Sequence, residues 1–230
     1  MVSRISYRNE IMKSCTNHII IYIPICFKES NGTIDFIDNR KANTVVFRTC
    51  DVEKKVMVFQ IGAPEAGIAL KAAQVVEKDV GAIDINMGCP KHFSTCGGMG
   101  AALLSKPEIA ADIIGTLRRN LSIPVFAKIR LLPDESIHNA VELIRRMEKN
   151  GVSCVAGKEE NIFLSYIIYI YININFIKLF FFLVHMRTLN DKPDDPPRWD
   201  LFPHILSEIT SLPLIVNGGV WNRNDIKAIR

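Results

Sequence analysis

The sequence predicts an α/β fold that is part of an eight-stranded (β/α)8 barrel. From residue 45 onward, short apolar, β-branched runs alternate with stretches of helical spacing. The runs at 56–61, 123–130 and 212–217 are apolar on both faces, which is typical of parallel strands covered on both sides. Polar motifs follow one strand after another, whereas a doubly wound sheet gathers them at one switch point. We therefore expect a barrel.

The predicted elements follow in chain order. Strands are expected at 45–49, 56–61, 82–87, 123–130, 152–156 and 212–217. Helices are expected at 64–79, 107–119, 137–148 and 199–209, where apolar residues recur at helical spacing. Ser105 and Glu108 have the spacing of a capping box at the start of the second helix. The apolar run 18–27 has no basic segment directly before it, which favours a core strand over a signal peptide.

The composition is that of a globular protein. The chain is 48% hydrophobic and 23% charged, which excludes extended disorder. A net charge of +4 decides nothing about a polyanionic partner. The six cysteines form no C-x-x-C pair and the five histidines are scattered, so the sequence predicts reduced thiols and no metal site.

The segment 157–183 breaks the alternation, and three explanations are open. The stretch 162–183 is long enough to cross a bilayer, but it contains Asn173, Asn175 and Lys178, and a lysine at that depth costs about 2.5–3.5 kcal/mol. A genuine insertion this apolar would promote aggregation in solvent. The third explanation is a translated intron, because the segment consists almost wholly of residues with AT-rich codons.

Splice signals favour the intron. Gly157-Lys158 can be read from a donor sequence, and the phenylalanine run before Val184 can be read from a pyrimidine tract with an acceptor. Excision of these 27 codons would leave "VSCVAVHMRT", one uninterrupted apolar strand that ends in histidine. We therefore expect a retained intron, ahead of a membrane segment or a genuine insertion.

Cys89 lies in "DINMGCPKHFST", residues 84–95, between Gly88 and Pro90. Taken alone, such a cysteine would more often be a small buried residue in a turn. Its place after a strand favours chemistry, since Lys91 could steady a phosphate or favour a thiolate. A free thiol is mostly protonated at neutral pH and can serve as a general acid. The following "STCGGMGAALL" fits neither a P-loop nor a dinucleotide-binding fingerprint.

The longer segment "DINMGCPKHFSTCGGMGAALLSKPE" resembles the signature of the tRNA-dihydrouridine synthases. Its residues are most similar to those of the eukaryotic members that act at position 20 of the D-loop. The stretches "VVFRTCDVEKKVMVFQIG", "PVFAKIRLLP" and "PLIVNGG" occur in the family's order. The resemblance covers residues 33–156 and 184–219.

The resemblance implies an FMN-binding (β/α)8 barrel of which this chain carries about strands 3–7. Residues 1–32 match poorly, and 33–230 would be a partial catalytic domain interrupted by 157–183. The implied reaction reduces the C5=C6 bond of a tRNA uridine, with FMN as the hydride donor and NADPH or NADH as the reductant. We expect tRNA and the nicotinamide cofactor as partners, no metal, no membrane, and a cytoplasmic or nuclear location. As written, the chain is expected to be a fragment with impaired activity.

The resemblance also assigns residues. Cys89 matches the donor of a proton to C5 of the uracil. The flavin-binding positions are matched by Gln60, Lys128, His185, Asn217, Gly218 and Gly219. Substrate contacts are implied for Asn86, Lys91 and Arg187. Taken singly, Gln60 could merely cap a strand, His185 could be a core histidine and Gly218-Gly219 an ordinary turn.

The chain departs from the family at two positions near these residues. Met186 stands where glycine is expected, and Cys96 where members often carry lysine. Two functions other than the one implied by the resemblance remain open. One is a different FMN-barrel oxidoreductase that acts on free pyrimidines, and the other is an inactive RNA-binding remnant without flavin.

Overall fold

The computed structural model describes residues 25–28, 32–38, 44–55, 57–132, 134, 136–150, 154–155, 181–192, 194–209, 214–217 and 219–229. Within them, an antiparallel sheet contains β1 (Ile25–Lys28), β2 (Thr33–Asp38) and β3 (Thr44–Cys50). The predicted core strand at 18–27 overlaps β1, and its residues 18–24 lie outside the described part.

The predicted strand at 45–49 lies in β3 and not in the barrel sheet, which corrects its place in the alternating series. Only residues 51–57 separate β3 from the next strand, too few for the crossover that a parallel pair needs. The small sheet instead packs on the barrel sheet through Phe47. Its ring centroid lies 5.2 Å from that of Phe36 and 4.7 Å from that of Phe59.

The second sheet is parallel throughout its described pairs. It contains β4 (Val58–Ile61), β5 (Ala82–Asn86), β6 (Val125–Arg130), β7 (Cys154–Val155), β8 (Phe181–His185) and β9 (Leu214–Asn217). The strands lie side by side in sequence order. A doubly wound sheet would reverse its order at a switch point, so this order confirms the α/β class and a partial barrel.

β7 and β8 together occupy one position beside β6. Phe126 and Ala127 of β6 pair with Cys154 and Val155, and the next β6 residue pairs with Leu183. The pairing then continues to the end of β8. Phe181 and Phe182 lie on the far side of β7, in the same rows as Cys154 and Val155. The residue pairs 154–155 and 181–182 therefore lie side by side in two rows of the sheet, where one continuous strand would place a single pair.

The helices of the described residues are α1 (Ala66–Val76), α2 (His92–Thr95), α3 (Pro107–Asn120), α4 (Ile137–Lys149), α5 (Phe202–Glu208) and α6 (Arg223–Ala228). The four predicted helices are confirmed as α1, α3, α4 and α5. Short 3-10 helices cover Glu77–Asp79, Gly100–Ser105 and Trp199–Leu201. α1 packs on α3, α3 on α4, and α4 on α5, so neighbouring helices follow the strand order.

The predicted capping box before α3 is wrong. Ser105 ends a 3-10 helix, and its hydroxyl donates to the carbonyl of Ala102 at 3.0 Å. Lys106 takes the N-cap position without a side-chain cap, and Glu108 pairs with Arg146 of α4. The helix begins one residue later than the capping box requires, so Ser105 does not hold the N-cap position.

No helix among the described residues is long and apolar enough to cross a bilayer. Of the apolar run 162–183, residues 181–183 belong to β8. Residues 162–180 lie outside the described part of the chain.

Candidate functional site

Five predicted site residues lie at the carboxyl ends of successive parallel strands, as the sequence predicts. They are Gln60 in β4, Asn86 in β5, Lys128 in β6, His185 in β8 and Asn217 in β9. The register places Asn86 beside Lys128, and His185 beside Asn217. Gly218 and the side chain of Asn217 lie outside the described part.

The loop after β5 holds Cys89 by its backbone. Asn86 Oδ1 accepts hydrogen bonds from the amides of Gly88 at 3.1 Å and Cys89 at 3.0 Å, a turn typical of asparagine. The carbonyl of Cys89 accepts from the amide of Ala101 at 3.0 Å. The cysteine is partly exposed and unoxidised. The thiol therefore stands on a loop held on both sides and accessible from solvent.

The glycine-rich stretch packs directly against this cysteine. Gly100 has a φ of +59°, which disfavours other residues. A Cβ at Gly100 would lie 2.3 Å from Ser94 Oγ and 2.7 Å from the carbonyl oxygen of Cys89. The glycine is required by this close approach, not by a phosphate loop.

A chain of side-chain hydrogen bonds runs from the interior of the sheet to the Cys89 loop. Gln60 Nε2 donates to Asp84 Oδ2 at 2.6 Å, and Asn86 Nδ2 donates to Gln60 Oε1 at 3.0 Å. Asn86 Oδ1 then receives the two loop amides described above. The three side chains thus join β4 and β5 to the backbone of the loop.

Asp84 is fully buried in the middle of β5. Burial raises its pKa to about 6, against the opposing effects of the Gln60 hydrogen bond and the charge of Lys128. Its Oδ1 has no hydrogen-bond partner among the described residues. A buried acid with one committed oxygen and one free oxygen is costly, and it is therefore a candidate for a role beyond packing.

Positive charge gathers around His185 at the ends of β6 and β8. Burial, followed by the charges of Arg130, Arg187 and Lys128, lowers the pKa of His185 to about 3, with Asp191 opposing them. The amide of Arg187 donates to His185 Nδ1 at 3.2 Å. The imidazole is therefore neutral and carries its hydrogen on Nε2, which makes Nε2 a donor. We call Lys128, Arg130, His185 and Arg187 the basic cluster.

Gly219 belongs to the same region. It has a φ of +70°, and a Cβ there would lie 3.0 Å from Pro197 Cγ and 3.5 Å from Arg187 Nη2. Arg187 is fixed in turn because its Nε donates to the carbonyl of Asp195 at 2.5 Å. The predicted glycine turn and the predicted arginine are therefore neighbours.

Lys91 joins neither the basic cluster nor the hydrogen-bonded series of Asp84, Gln60 and Asn86. It is exposed, and its Nζ lies 6.0 Å from the ring centroid of Phe93. No hydrogen bond or ion pair in the described part of the chain joins its side chain to the other predicted site residues. Its position on the outer side of the loop suits a partner in solvent.

Two residues of the site were missed by the sequence analysis. Arg130 Nε donates to the carbonyl of Gly88 at 2.6 Å, and Nη1 donates to that of Thr188 at 3.3 Å. Asp84 anchors the hydrogen-bonded chain. Each stands two residues from a predicted one, on the same face of its strand as Lys128 or Asn86. Because alternate residues of a strand point to the same face, a search two residues away from each predicted residue would have found both of them.

The basic cluster has the donor chemistry for an anionic cofactor. Three basic side chains, a neutral imidazole donor and a glycine turn with positive φ stand together, and this set suits a phosphate group. Among the described residues, no three His, Cys, Asp or Glu side chains lie together in a way that could hold a metal ion.

The chain is similar to proteins of one family over most of its length. A sequence model described as dihydrouridine synthase (Dus) matches residues 35–156. The chain is 29% identical over 213 residues to the tRNA-dihydrouridine(20) synthase (NAD(P)+) of Saccharomyces cerevisiae, and 36% identical over 203 residues to that of Schizosaccharomyces pombe. It is 26% identical over 220 residues to a Homo sapiens protein named tRNA-dihydrouridine(20a/20b) synthase (NAD(P)+)-like.

These matches cover most of this chain but only part of each relative. They include 86%, 85% and 95% of this chain, and 48%, 36% and 57% of the relatives in the same order. The chain therefore spans from about a third to somewhat over half the length of these relatives.

Proposed function

Because this chain belongs to the dihydrouridine synthase family, we propose that it serves in the reduction of the C5=C6 bond of a uridine in tRNA. The observation that carries the proposal is the placement of Cys89. Its partly exposed thiol stands on a loop fixed by four hydrogen bonds to its backbone, beside the basic cluster at the carboxyl edge of the barrel sheet. The names of the relatives specify tRNA and NAD(P)+.

We assign the cofactor site to residues at the strand ends. Gln60, Lys128, His185, Asn217, Gly218 and Gly219 would hold FMN, and the residues described among them fit an anionic nucleotide. When bound and reduced, FMN would supply a hydride for C6 of the uracil, after reloading by NADPH or NADH. Lys128 provides a buried positive charge, and His185 Nε2 and the Gly219 turn provide donors for phosphate.

Cys89 is assigned the proton that completes the reduction. Its thiol gives a proton to C5, which balances the hydride at C6 and leaves a thiolate that solvent reprotonates.

The substrate contacts are assigned from the hydrogen-bond donors that remain available on these side chains. Asn86 uses one Nδ2 hydrogen for Gln60 and its Oδ1 for two amides, so its second Nδ2 hydrogen is available for a uracil oxygen. Arg187 uses Nε for Asp195 and has its terminal amino groups for a phosphate. Lys91, exposed on the loop, suits the tRNA backbone.

The proposal is tested by flavin binding and by the product in tRNA. Purified protein from which residues 157–183 have been removed should carry the visible absorbance of a flavin and should form dihydrouridine in unmodified tRNA when NADPH is present. Cys89→Ala should lower the rate about 10²–10⁴-fold while flavin stays bound, as expected for a lost general acid. Flavin with turnover of free pyrimidines alone would favour a different flavin oxidoreductase. Protein without flavin would favour an RNA-binding remnant.

We further infer that the active form of this protein lacks residues 157–183. Ala127 of β6 pairs with Val155 and the next residue, Lys128, pairs with Leu183, so the 27 residues 156–182 interrupt one row-by-row register. Removal of 157–183 would put Ala156 opposite Lys128 and leave Val184 opposite its present partner. The length required by the register equals the length set by the splice signals, and these are independent observations.

The continuous strand would also remove a defect. At present Phe181 and Phe182 stand in the rows that Cys154 and Val155 already occupy, which displaces the start of β8 from β6. Without the segment, a single strand would run from Cys154 to His185 between β6 and β9. The apolar stretch 162–183, an aggregation hazard in water, would be gone as well.

Deletions of different length test this inference. Removal of 157–183 or of 156–182 takes out 27 residues and should give a monodisperse protein with a sharper and higher thermal transition. Removal of 157–182 takes out 26 residues, which shifts His185 by one row and turns it to the opposite face of the sheet. We expect this variant to show no improvement in its thermal transition. If the 26-residue deletion behaves as well as the 27-residue deletions, register is not what the segment disturbs.

Transcripts provide the second test. Mature messages should lack the codons for 157–183, and messages that all retain them would contradict the intron.

The tRNA substrate places the proposed activity in the cytoplasm or the nucleus. Imaging of the tagged protein would check this location.

A further inference from the structure

Asp84, Gln60 and Asn86 form a hydrogen-bonded series with a fixed direction. The amides of Gly88 and Cys89 can only donate, so the atom of Asn86 that faces them must be Oδ1. Asn86 then presents Nδ2 to Gln60.

The same reasoning continues to the buried end. Gln60 must turn Oε1 toward Asn86, and its Nε2 therefore points at Asp84. A flip of either amide would place donor against donor or acceptor against acceptor at two contacts at once. Only an acceptor at position 84 completes the series.

The chemistry of the carboxylate suits this end of the series. Asp84 Oδ2 accepts from Gln60 at 2.6 Å, and Oδ1 has no partner in the described residues. A proton taken up by Asp84 therefore binds at Oδ1, and Oδ2 continues to accept. The series persists in both protonation states of the acid.

We propose that Asp84 is a positioning residue that fixes the loop carrying Cys89 through the side chains of Gln60 and Asn86. It touches neither substrate nor cofactor in this role. An acceptor at position 84 orients Gln60, Gln60 orients Asn86, and Asn86 holds the two loop amides. The relevance of this to catalysis rests on the proposed function, whereas the loop geometry can be measured without flavin or tRNA.

The test compares two thiols in one molecule. Iodoacetamide alkylation of the whole chain is followed by peptide mass spectrometry, and cleavage after Lys91 separates Cys89 from the exposed Cys96. The ratio of the two rates reports on the Cys89 loop, and general loosening changes both rates together. In Asp84→Ala the ratio should rise about threefold or more, as expected for loss of one buried hydrogen bond.

Conservative and serial variants distinguish the proposal from a general structural effect. Asp84→Asn retains an acceptor oxygen and should leave the ratio within about twofold of the wild type. Asn86→Ala should raise the ratio, and Asp84→Ala added to it should raise it no further, because the residues act in series. Gln60→Met breaks the series at a partly exposed position and serves if Asp84→Ala does not fold.

An unchanged ratio in Asp84→Ala would overturn the proposal, as would equal ratios in Asp84→Ala and Asp84→Asn. Additive effects of Asp84→Ala and Asn86→Ala would also overturn it. None of these results bears on flavin binding or tRNA reduction, so failure here leaves the proposed function intact.

Discussion

Arg130 donates a hydrogen bond from Nε to the carbonyl of Gly88 at 2.6 Å, so the end of β6 holds the loop that carries Cys89. The same guanidinium reaches the carbonyl of Thr188 at 3.3 Å. One side chain therefore joins the loops after β5 and β8. The planar fork of arginine makes this possible, and a lysine ammonium does not reproduce it.

Replacement of Arg130 should destabilise the fold. Arg130→Ala leaves two partly buried carbonyls without this donor, and we expect a loss of about 1–3 kcal/mol in the free energy of unfolding. Urea denaturation measures it. Arg145→Ala is the matched control, since Arg145 pairs with Glu208 on the surface and such pairs contribute about 0–1 kcal/mol. Equal losses in the two variants would mean that Arg130 does not join the loops.

Gly100→Ala should disturb the Cys89 loop. The added Cβ would meet Ser94 Oγ at 2.3 Å and the carbonyl of Cys89 at 2.7 Å, at a φ of +59°. We expect a lower melting temperature and weaker flavin binding. Gly67→Ala is the control, because it lies in α1 with nothing within 4 Å of the new Cβ. It should be neutral or stabilise by up to about 1 kcal/mol, and a Gly100→Ala protein as stable as this one would contradict the close packing.

Asp84 should make the protein more stable as the pH falls from 8 to 5. Burial raises the pKa of Asp84 from 3.8 to about 6, so the folded protein binds a proton that the unfolded chain does not. The cost of the buried charge disappears as the pH drops through 6, a gain of about 1 kcal/mol at pH 5. Asp84→Asn removes this gain. Urea unfolding of both proteins at several pH values would reveal it, and parallel pH profiles would exclude it.

His185 should act in the opposite direction. Burial and neighbouring cations lower its pKa from 6.5 to about 3. Between these two pH values the unfolded chain binds a proton at His185 and the folded protein does not. Its contribution is fully present above pH 6.5 and is lost as the pH falls, by about 2 kcal/mol between pH 7 and pH 5. His185→Gln should flatten the acid loss of stability, while Asp84→Asn should steepen it. If both substitutions changed the slope of unfolding free energy against pH in the same direction, these opposite roles of His185 and Asp84 would be contradicted.

Several parts of the fold followed from local patterns. Helical spacing predicts α1, α3 and α4 closely, and the apolar runs predict the strands of the parallel sheet. The strand at 45–49 was assigned to the wrong sheet, because a short strand has the same pattern in either arrangement. The Ser105 capping box was wrong because α3 begins at Pro107, which puts Lys106 and not Ser105 at the N-cap.

The candidate site was predictable in outline. Polar residues at strand ends indicate the carboxyl edge of a parallel sheet, and Gln60, Asn86, Lys128 and His185 all lie there. Asp84 was overlooked because a single acid in an apolar strand has no partner in the local sequence. Its partner Gln60 is 24 residues away.

The sequence by itself determined which segments are helix and which are strand, and that the reactive cysteine follows a strand. Periodicity and turn residues suffice for this, because they act over a few neighbouring residues. Only the tertiary structure decided which strands are neighbours and in what register. That register brings Asp84 to Gln60, sets Arg130 beside His185, and places Leu183 in the row after Val155. Pairing between strands depends on backbone hydrogen bonds between distant residues, and no local pattern contains that information.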